Sequence, residues 1–572
     1  MFCINRQGAF LLYLVILVRG VYESSSSLEL HNNTLGENLH IATPFSLPCF
    51  STYEGYSVIP NASACSRIQT SYGDPTFRSQ FYNAFMNSQD EICISNVTEQ
   101  CLLDNEDTTN PHAFTSTSCN QGSVSRFYID VESVSDIITA LQLSRDYGIK
   151  LSIKNSGHDF LGRSSMRGSL ALWMRNLRNM VRSPNFVPQG CSSISPMDTI
   201  TTAAGVSFDE VYKFADGEGV TFVGGYASTV GVSGGWLQGG GHSVLSPIYG
   251  LGVDRVVQLR VITADGILRV ANACSNPDLF WALRGGGGGT FGVVIESTHR
   301  VAPPLSLSVA FIEYNQTATT VNKWFEILVN NSLTWTNQGW GGHYLSDNLI
   351  SVNPLLNLSA AEASMAQAAD FARANGGTAI IETSPSWYSF YTQYVLKYEV
   401  PVGRPQFTGG RLIPASQFTS AVGRGKLLSF LKKILVAGLS PYISATTPYL
   451  YPWVAGSTSA SPAWRDSIWE LGYPFMLPWN STLEERKSII QQVNALSRDA
   501  EKMTPEGGEY LNEASPWTEN WKEAWWGENY ERLSEIKKKY DPEGIFSCWK
   551  CIGFEEQRAE RGFECFAGPG IR

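Results

Sequence analysis

The stretch Gly224-Gly-Tyr-Ala-Ser-Thr-Val-Gly-Val-Ser-Gly-Gly-Trp-Leu-Gln-Gly-Gly-Gly-His242 decides how this chain is read. Glycine is too dense there for a regular helix or strand, and each glycine gives up more backbone entropy on folding than another residue would. Such density is tolerated where backbone amides approach a ligand or a second chain segment, and successive amides can form an anion-cradling nest. Tight turns between strands would give the same composition. Two further segments weigh against turns alone: Lys154-Asn-Ser-Gly-His-Asp-Phe-Leu-Gly-Arg-Ser164, at the end of a strand-like run, and Leu279-Phe-Trp-Ala-Leu-Arg-Gly-Gly-Gly-Gly-Gly-Thr-Phe-Gly-Val-Val294. Three glycine loops in one region point to one large cofactor. No G-x-G-x-x-G joins a strand to a helix with an acidic residue about 20 positions on, so a Rossmann site is not supported. The absence of G-x-x-x-x-G-K-[ST] removes a P-loop.

Outward from these loops the hydrophobic pattern becomes regular. Val134, Ile137, Ile138, Leu141 and Leu143 are spaced as a helix, and Ile149 to Lys154 alternates as a strand. Similar patterns recur at 199–204, 208–218, 256–263, 278–283 and 291–301, so the class is α+β. Pro303-Pro304 marks a boundary. Beyond it, amphipathic stretches at 360–374 and 483–502 mix with β-like runs at 305–314 and 473–477, as in a second α+β domain. A charged helix at 530–540, with Leu533 and Ile536 on its apolar face, stops at Asp541-Pro542. The division that follows is a signal segment 1–20, a disulfide-rich extension 21–121, a loop-bearing domain 122–303, a second domain 304–525, and a closing segment 526–572.

At 572 residues the chain exceeds one ordinary core, and two or three domains are expected. Its net charge of -10 argues against nucleic acid as a partner, because phosphate binding needs a basic surface. After Arg6, an apolar run from Ala9 to Val18 followed by Arg19-Gly20 reads as a removed export signal, too short for the roughly 20 residues of a membrane span. We expect a soluble, secreted, extracellular protein, no membrane partner and a monomer. Without Cys3, ten cysteines remain: Cys49, Cys65, Cys93, Cys101, Cys119, Cys191, Cys274, Cys548, Cys551 and Cys565. An even number in an oxidising compartment suggests disulfides. Cys548 and Cys551 form a CxxC that could serve redox or metal chemistry, but no second CxxC or paired histidines accompany it, and no metal is expected. Glycan acceptor patterns at Asn32, Asn61, Asn96, Asn315, Asn330, Asn357 and Asn480 fit the same compartment. Aromatic residues make up 12% of the chain; they could line a pocket, although core packing accounts for most of them.

Taken together, the three loops, Tyr510-Leu-Asn, Trp526-Gly-Glu-Asn-Tyr-Glu-Arg-Leu and Tyr540-Asp-Pro-Glu-Gly-Ile-Phe546 resemble the vanillyl-alcohol-oxidase flavoproteins with a PCMH-type FAD-binding domain. Within them they resemble the fungal berberine-bridge-enzyme-like oxidases. The resemblance covers about 123–301 and resumes from Tyr510. It implies a two-lobed α+β flavoprotein in which FAD is bonded covalently through His158, with Ser156 standing where the family commonly has a glycine. A histidine hydrogen-bonded in a turn is the bland alternative. Some members add a cysteine tether within the second loop; Ala227 at that place leaves a single attachment. The cofactor contacts it implies are Lys154, Asn155, Ser156, Gly157, Asp159, Gly225, Tyr226, Thr229, Val230, Gly231, Gly235, His242 and Val294. His242 is expected to pack near the cofactor, and Trp525 and Trp526 to flank it or simply fill the core.

Val230 matches the gate residue of oxygen-reactive members, and Gly235 leaves further room, so molecular oxygen is the expected acceptor, with peroxide release. Tyr510 is the expected catalytic base, provided positive charge or hydrogen bonding lowers its pKa. A core tyrosine that merely satisfies an acceptor is the alternative, and Glu513 replaces the second tyrosine that often follows the motif. The expected substrate is a small molecule: an alcohol, a sugar, or a secondary metabolite oxidised at a C-H bond. A dehydrogenase using another acceptor and a catalytically silent glycoprotein of the same fold remain open.

Overall fold

The crossover that delivers the first glycine loop is built from a helix and two parallel strands. Strands Phe127–Asp130 and Leu151–Lys154 both pair in parallel with Leu170–Trp173. Parallel neighbours need a crossover, which the helix Val134–Tyr147 provides. Ser133 and Asp136 form its capping box, Gly148 ends it at φ 65°, and Ile137, Ala140, Leu141 and Leu143 are its buried apolar face. The computed structural model describes residues 38–555 and 562–567. The expected signal segment and Asn32 lie outside them.

Leu39–Ile41 pairs antiparallel with Phe127–Asp130, so the N-terminal extension supplies the edge strand of this four-stranded sheet. Beside it stands a five-stranded antiparallel sheet in the order Leu268–Asn272, Val256–Ile262, Val293–Arg300, Met197–Ala203, Met180–Phe186. One core joins the two sheets, with Leu141, Leu151 and Leu170 packed in the same cluster as Ile262, Val293 and Ile295.

The second lobe carries a seven-stranded antiparallel sheet, ordered Thr378–Ser384, Leu307–Glu313, Asn348–Asn353, Gly341–Tyr344, Tyr442–Ala445, Ser467–Met476, Gln406–Pro414. Alternation gives its central strands two different faces. Trp469 and Tyr473 turn toward the helical layer, their rings 4.8 Å from Phe418 and 6.2 Å from Phe430. Glu470 therefore points to the opposite face. The β-like run expected at 473–477 is the tail of the ten-residue strand Ser467–Met476. Both of its faces are covered, which hides the period-two pattern from the sequence.

All ten cysteines expected to pair do so, as Cys49–Cys65, Cys93–Cys565, Cys101–Cys119, Cys191–Cys274 and Cys548–Cys551. No described helix is long and apolar enough to cross a membrane.

Candidate active site

The three glycine loops meet. Asn155, just past the strand Leu151–Lys154, lies so close to the second loop that a Cβ on Gly231 would sit 2.6 Å from its carboxamide. Its Nδ2 donates to Ala204 O at 2.5 Å, while its Oδ1 is buried without a partner. A Cβ on Gly288 of the third loop would come within 3.1 Å of Gly235 Cα, and Gly287 N donates to Gln238 O at 2.9 Å. Glycine is needed at 288 because backbone meets backbone there, and at 231 because the Asn155 side chain fills the space a Cβ would take. Gly235 and Gly289, by contrast, look into open space, with nothing nearer than 4.0 Å to an added Cβ.

His158 sits at this junction. Its Nε2 lies 2.8 Å from Thr229 Oγ1, and burial pushes its pKa down to about 4, so the ring is neutral. Thr229 is held from the far lobe, because the Glu399 carboxylate accepts from the backbone and hydroxyl of Ser228, each at 2.8 Å. Sequence reasoning missed Glu399, which lies in a loop without a motif.

Three expected contacts have other partners. The Lys154 ammonium donates to Phe81 O, Tyr82 O and Ala84 O at 3.1, 2.6 and 2.6 Å and stands 4.2 Å from the Phe85 ring. It thus pins the N-terminal extension, and burial brings its pKa down to about 7. Asp159 accepts from Leu161 N, Arg163 N, Ser164 N and Ser164 Oγ, which shapes its own loop. Val294 is a core strand residue paired with Val261. Ser156 is buried, and Gly157, at φ 84°, packs against Phe85 while its carbonyl accepts from Met86 N. Trp526 Nε1 donates to Gly285 O at 2.9 Å, and Trp525 Nε1 to Glu509 Oε2 at 3.0 Å.

Opposite the loops, the seven-stranded sheet presents a polar row. Register puts His343 beside Ser444 and Ser444 beside Glu470. Tyr442 and Thr446 alternate onto the same face. His343 Nδ1 is 2.8 Å from Tyr442 OH and its ring 4.5 Å from that of Tyr226, which brings the sheet against the second loop. Burial and the nearby His242 push the His343 pKa down to about 3. His242 bridges the lobes, with Nδ1 2.8 Å from Thr446 Oγ1 and Nε2 3.0 Å from Glu513 Oε1. Its ring lies 5.2 Å from Tyr510 and 6.1 Å from Trp464. Asn512 Nδ2 donates to both Gly235 O and Tyr510 OH at 2.8 Å, tying Tyr510 to the second loop.

The surroundings of Tyr510 run against the expected base. Burial pushes its pKa well above the ordinary phenol value, and the carboxylates of Glu513 and Glu470 add to this, while hydrogen bonds with Asn512 and the Gly241 backbone work the other way. Positive charge is not among these causes. Sequence reasoning also missed His343, Tyr442, Ser444 and Glu470. A lone acidic residue within the apolar run Ser467-Ile-Trp-Glu-Leu471 was the one signal available.

Residues 125–272 match the family described as FAD binding domain, and residues 509–552 the family described as Berberine and berberine like. The FAD-linked oxidoreductase ffsJ of Aspergillus flavipes is 43% identical over 573 residues, covering 93% of this chain and 92% of that protein. The chain belongs to the berberine-like FAD-linked oxidoreductases of the vanillyl-alcohol-oxidase superfamily. OXR2 of Pyricularia oryzae, another FAD-linked oxidoreductase, is 41% identical with 96% of each chain covered. The crystal structure of the VAO-type flavoprotein MtVAO615 from Myceliophthora thermophila C1 matches with a TM-score of 0.78 at 28% identity, covering 93% of this chain and 95% of that one. This oxidoreductase therefore has the expected α+β, PCMH-type architecture and uses FAD. Its residues fit that group: a glycine cradle with open space before Gly235 and Gly289, an unpartnered amide oxygen at Asn155, and a neutral imidazole at the junction.

Proposed function

We propose that this protein is a secreted oxidase that holds FAD by a single covalent bond through His158 and oxidises a C-H bond of an alcohol, a sugar or a secondary metabolite. The observation that carries this reading is the neutral His158 imidazole beside Thr229, where three glycine loops converge. When bound, FAD supplies hydride acceptance from the substrate and returns the electrons to dioxygen, releasing hydrogen peroxide. A neutral ring nitrogen is the nucleophile a tether needs. A glucooligosaccharide oxidase from Acremonium strictum, of the same fold at TM-score 0.61 and 20% identity, carries a 6-S-cysteinyl, 8α-N1-histidyl FAD by its description, and Ala227 here offers no sulfur for a second bond.

Gly225, Gly231 and Gly235, with Asn155 and Thr229, line the cofactor in this proposal, and Val230 with Gly235 leaves room for oxygen. The substrate lies between Tyr226, Tyr442 and His343 on one side and Tyr510 on the other. With its proton held on, Tyr510 donates a hydrogen bond to a substrate oxygen; it accepts a proton only when the neighbouring carboxylates are neutralised. Export is supported by five disulfides and by the exposure of all six described acceptor asparagines, Asn61, Asn96, Asn315, Asn330, Asn357 and Asn480.

Acid precipitation tests the tether. The parent protein should carry its yellow colour into the pellet, and His158→Ala should release FAD to the supernatant. Equal release from both would remove the covalent claim, and slow reoxidation of the dithionite-reduced protein in air would remove the oxidase claim.

A further inference from the structure

We infer that His242, Glu470 and Glu513 form a binding site for one divalent first-row transition-metal ion, with Zn2+ or Mn2+ the fitting occupants. This goes beyond the flavin reading and does not depend on it, because the three side chains alone would hold the ion.

The donors come from three separate elements. His242 ends the second glycine loop, Glu470 lies within the strand Ser467–Met476, and Glu513 closes the turn Leu511–Glu513. One ligand atom from each lies within 4.8 Å of the other two, and His242 Nε2 is 3.0 Å from Glu513 Oε1. Metal bonds of roughly 2.0–2.2 Å set ligand atoms about 3–4 Å apart, so a small contraction closes a three-ligand shell.

Glu470 is what turns an ordinary His–Glu pair into a site. It is 2% exposed, and its Oε2 has no hydrogen-bond partner. A buried carboxylate without a partner is costly, and the cost is relieved by taking up a proton, by a counter-charge or by a metal ion. The His242–Glu513 contact leaves that carboxylate unaccounted for. A divalent ion would meet both carboxylates and leave the shell neutral.

The orientation of His242 supports the same conclusion. Its Nδ1 is held 2.8 Å from Thr446 Oγ1, which aims Nε2 at the cluster. A fixed second nitrogen is the usual outer-shell device of a metal-binding histidine. One imidazole and two carboxylates favour zinc or manganese over calcium and magnesium, which take oxygen alone, and over ions that select thiolates. The shell has open positions for water or a substrate oxygen, and Tyr510, 5.2 Å from the His242 ring, borders it. Bound there, the ion would supply the positive charge that the phenol otherwise lacks.

Untagged protein carrying its flavin, first dialysed against a chelator, would be titrated with ZnCl2 by calorimetry and with MnCl2 by loss of the free-ion resonance signal. The expected result is one ion per chain with micromolar affinity. His242→Ala and Glu470→Gln should each weaken binding at least about tenfold, and Thr446→Ala about tenfold through the outer shell. Circular dichroism and the flavin spectrum would verify folding of each variant. Absence of saturable one-to-one binding in the parent protein would overturn the inference. So would undiminished binding in a folded His242→Ala/Glu470→Gln double variant. An infrared carbonyl band of a protonated acid, lost in Glu470→Gln but unchanged by saturating Zn2+, would overturn it too. Failure of the tether test alone would leave this result standing.

Discussion

Asp254 and Arg465 join the two lobes through a bidentate pair, both contacts at 2.8 Å, with side chains 4% and 3% exposed. Asp254 Oδ2 also accepts from Leu251 N at 2.8 Å. Removing one member of such a pair strands the other charge in the interior. Arg465→Leu should therefore lower stability by about 3–5 kcal/mol, read from the urea midpoint. Changing Asp254 to leucine as well should recover part of that loss. The buried histidines make a second claim at this scale. His299 is 1% exposed, its Nε2 lies 2.6 Å from Ser297 Oγ, and its Nδ1 has no partner. Burial, then Arg255, pushes its pKa from 6.5 down to about 3. The folded ring stays neutral where the unfolded chain takes up a proton. Between about pH 3 and 6.5 the unfolded state thus binds more protons, and stability rises with pH across that window and is lost on acidification. Compared at pH 4 and pH 7, the urea midpoint of the parent should gain on that of His299→Gln as pH rises, by a slope of up to about one proton.

The third glycine loop shows what a whole element must satisfy. Gly285 has φ 135°, and a Cβ there would run into the backbone of Ala460 in the other lobe. Its carbonyl accepts from Trp526, and the loop's far end is held by Lys537, which donates to Thr290 O at 2.6 Å from the helix Asn529–Tyr540. Gly285→Ala therefore combines backbone strain with a clash that no rotamer relieves. It should cost at least about 2 kcal/mol, measured as a lower melting temperature and a lower yield of flavin-loaded protein. Elements differed in how far the sequence revealed them. The helices Val134–Tyr147 and Leu483–Met503 were legible because one apolar stripe and a capping residue mark each. The strands Gly341–Tyr344 and Tyr442–Ala445 were not, since each is four residues long and buried on nearly every position.

At the scale of the whole molecule, the extension and the closing segment come together at the first glycine loop. Cys93 of the extension bonds Cys565, a separation of 472 residues. Phe566 occupies the space a Cβ on Gly162 would need, and its ring stacks 5.8 Å from Trp549. Arg163 Nε donates to Trp549 O at 3.0 Å, joining the same loop to the closing segment. A cross-link over so long a span constrains the unfolded chain strongly. The Cys93→Ala/Cys565→Ala variant should lose about 2–5 kcal/mol of stability, and limited proteolysis should then cut the C-terminal tail first. The amino-acid order alone determined the glycine loops, the histidine within the first, the α+β alternation and the ten cysteines beyond Cys3 that can pair, because glycine demand, helical periodicity and pairing are local or compositional. Only the tertiary structure decided that Lys154 serves the extension, that Asp159 shapes its own loop, and that His343, Ser444 and Glu470 form one row facing His242 and Tyr510. Those relations depend on strand register and on which lobe covers which face. Both are set by packing between residues far apart in the chain, and they leave no periodic trace in the sequence.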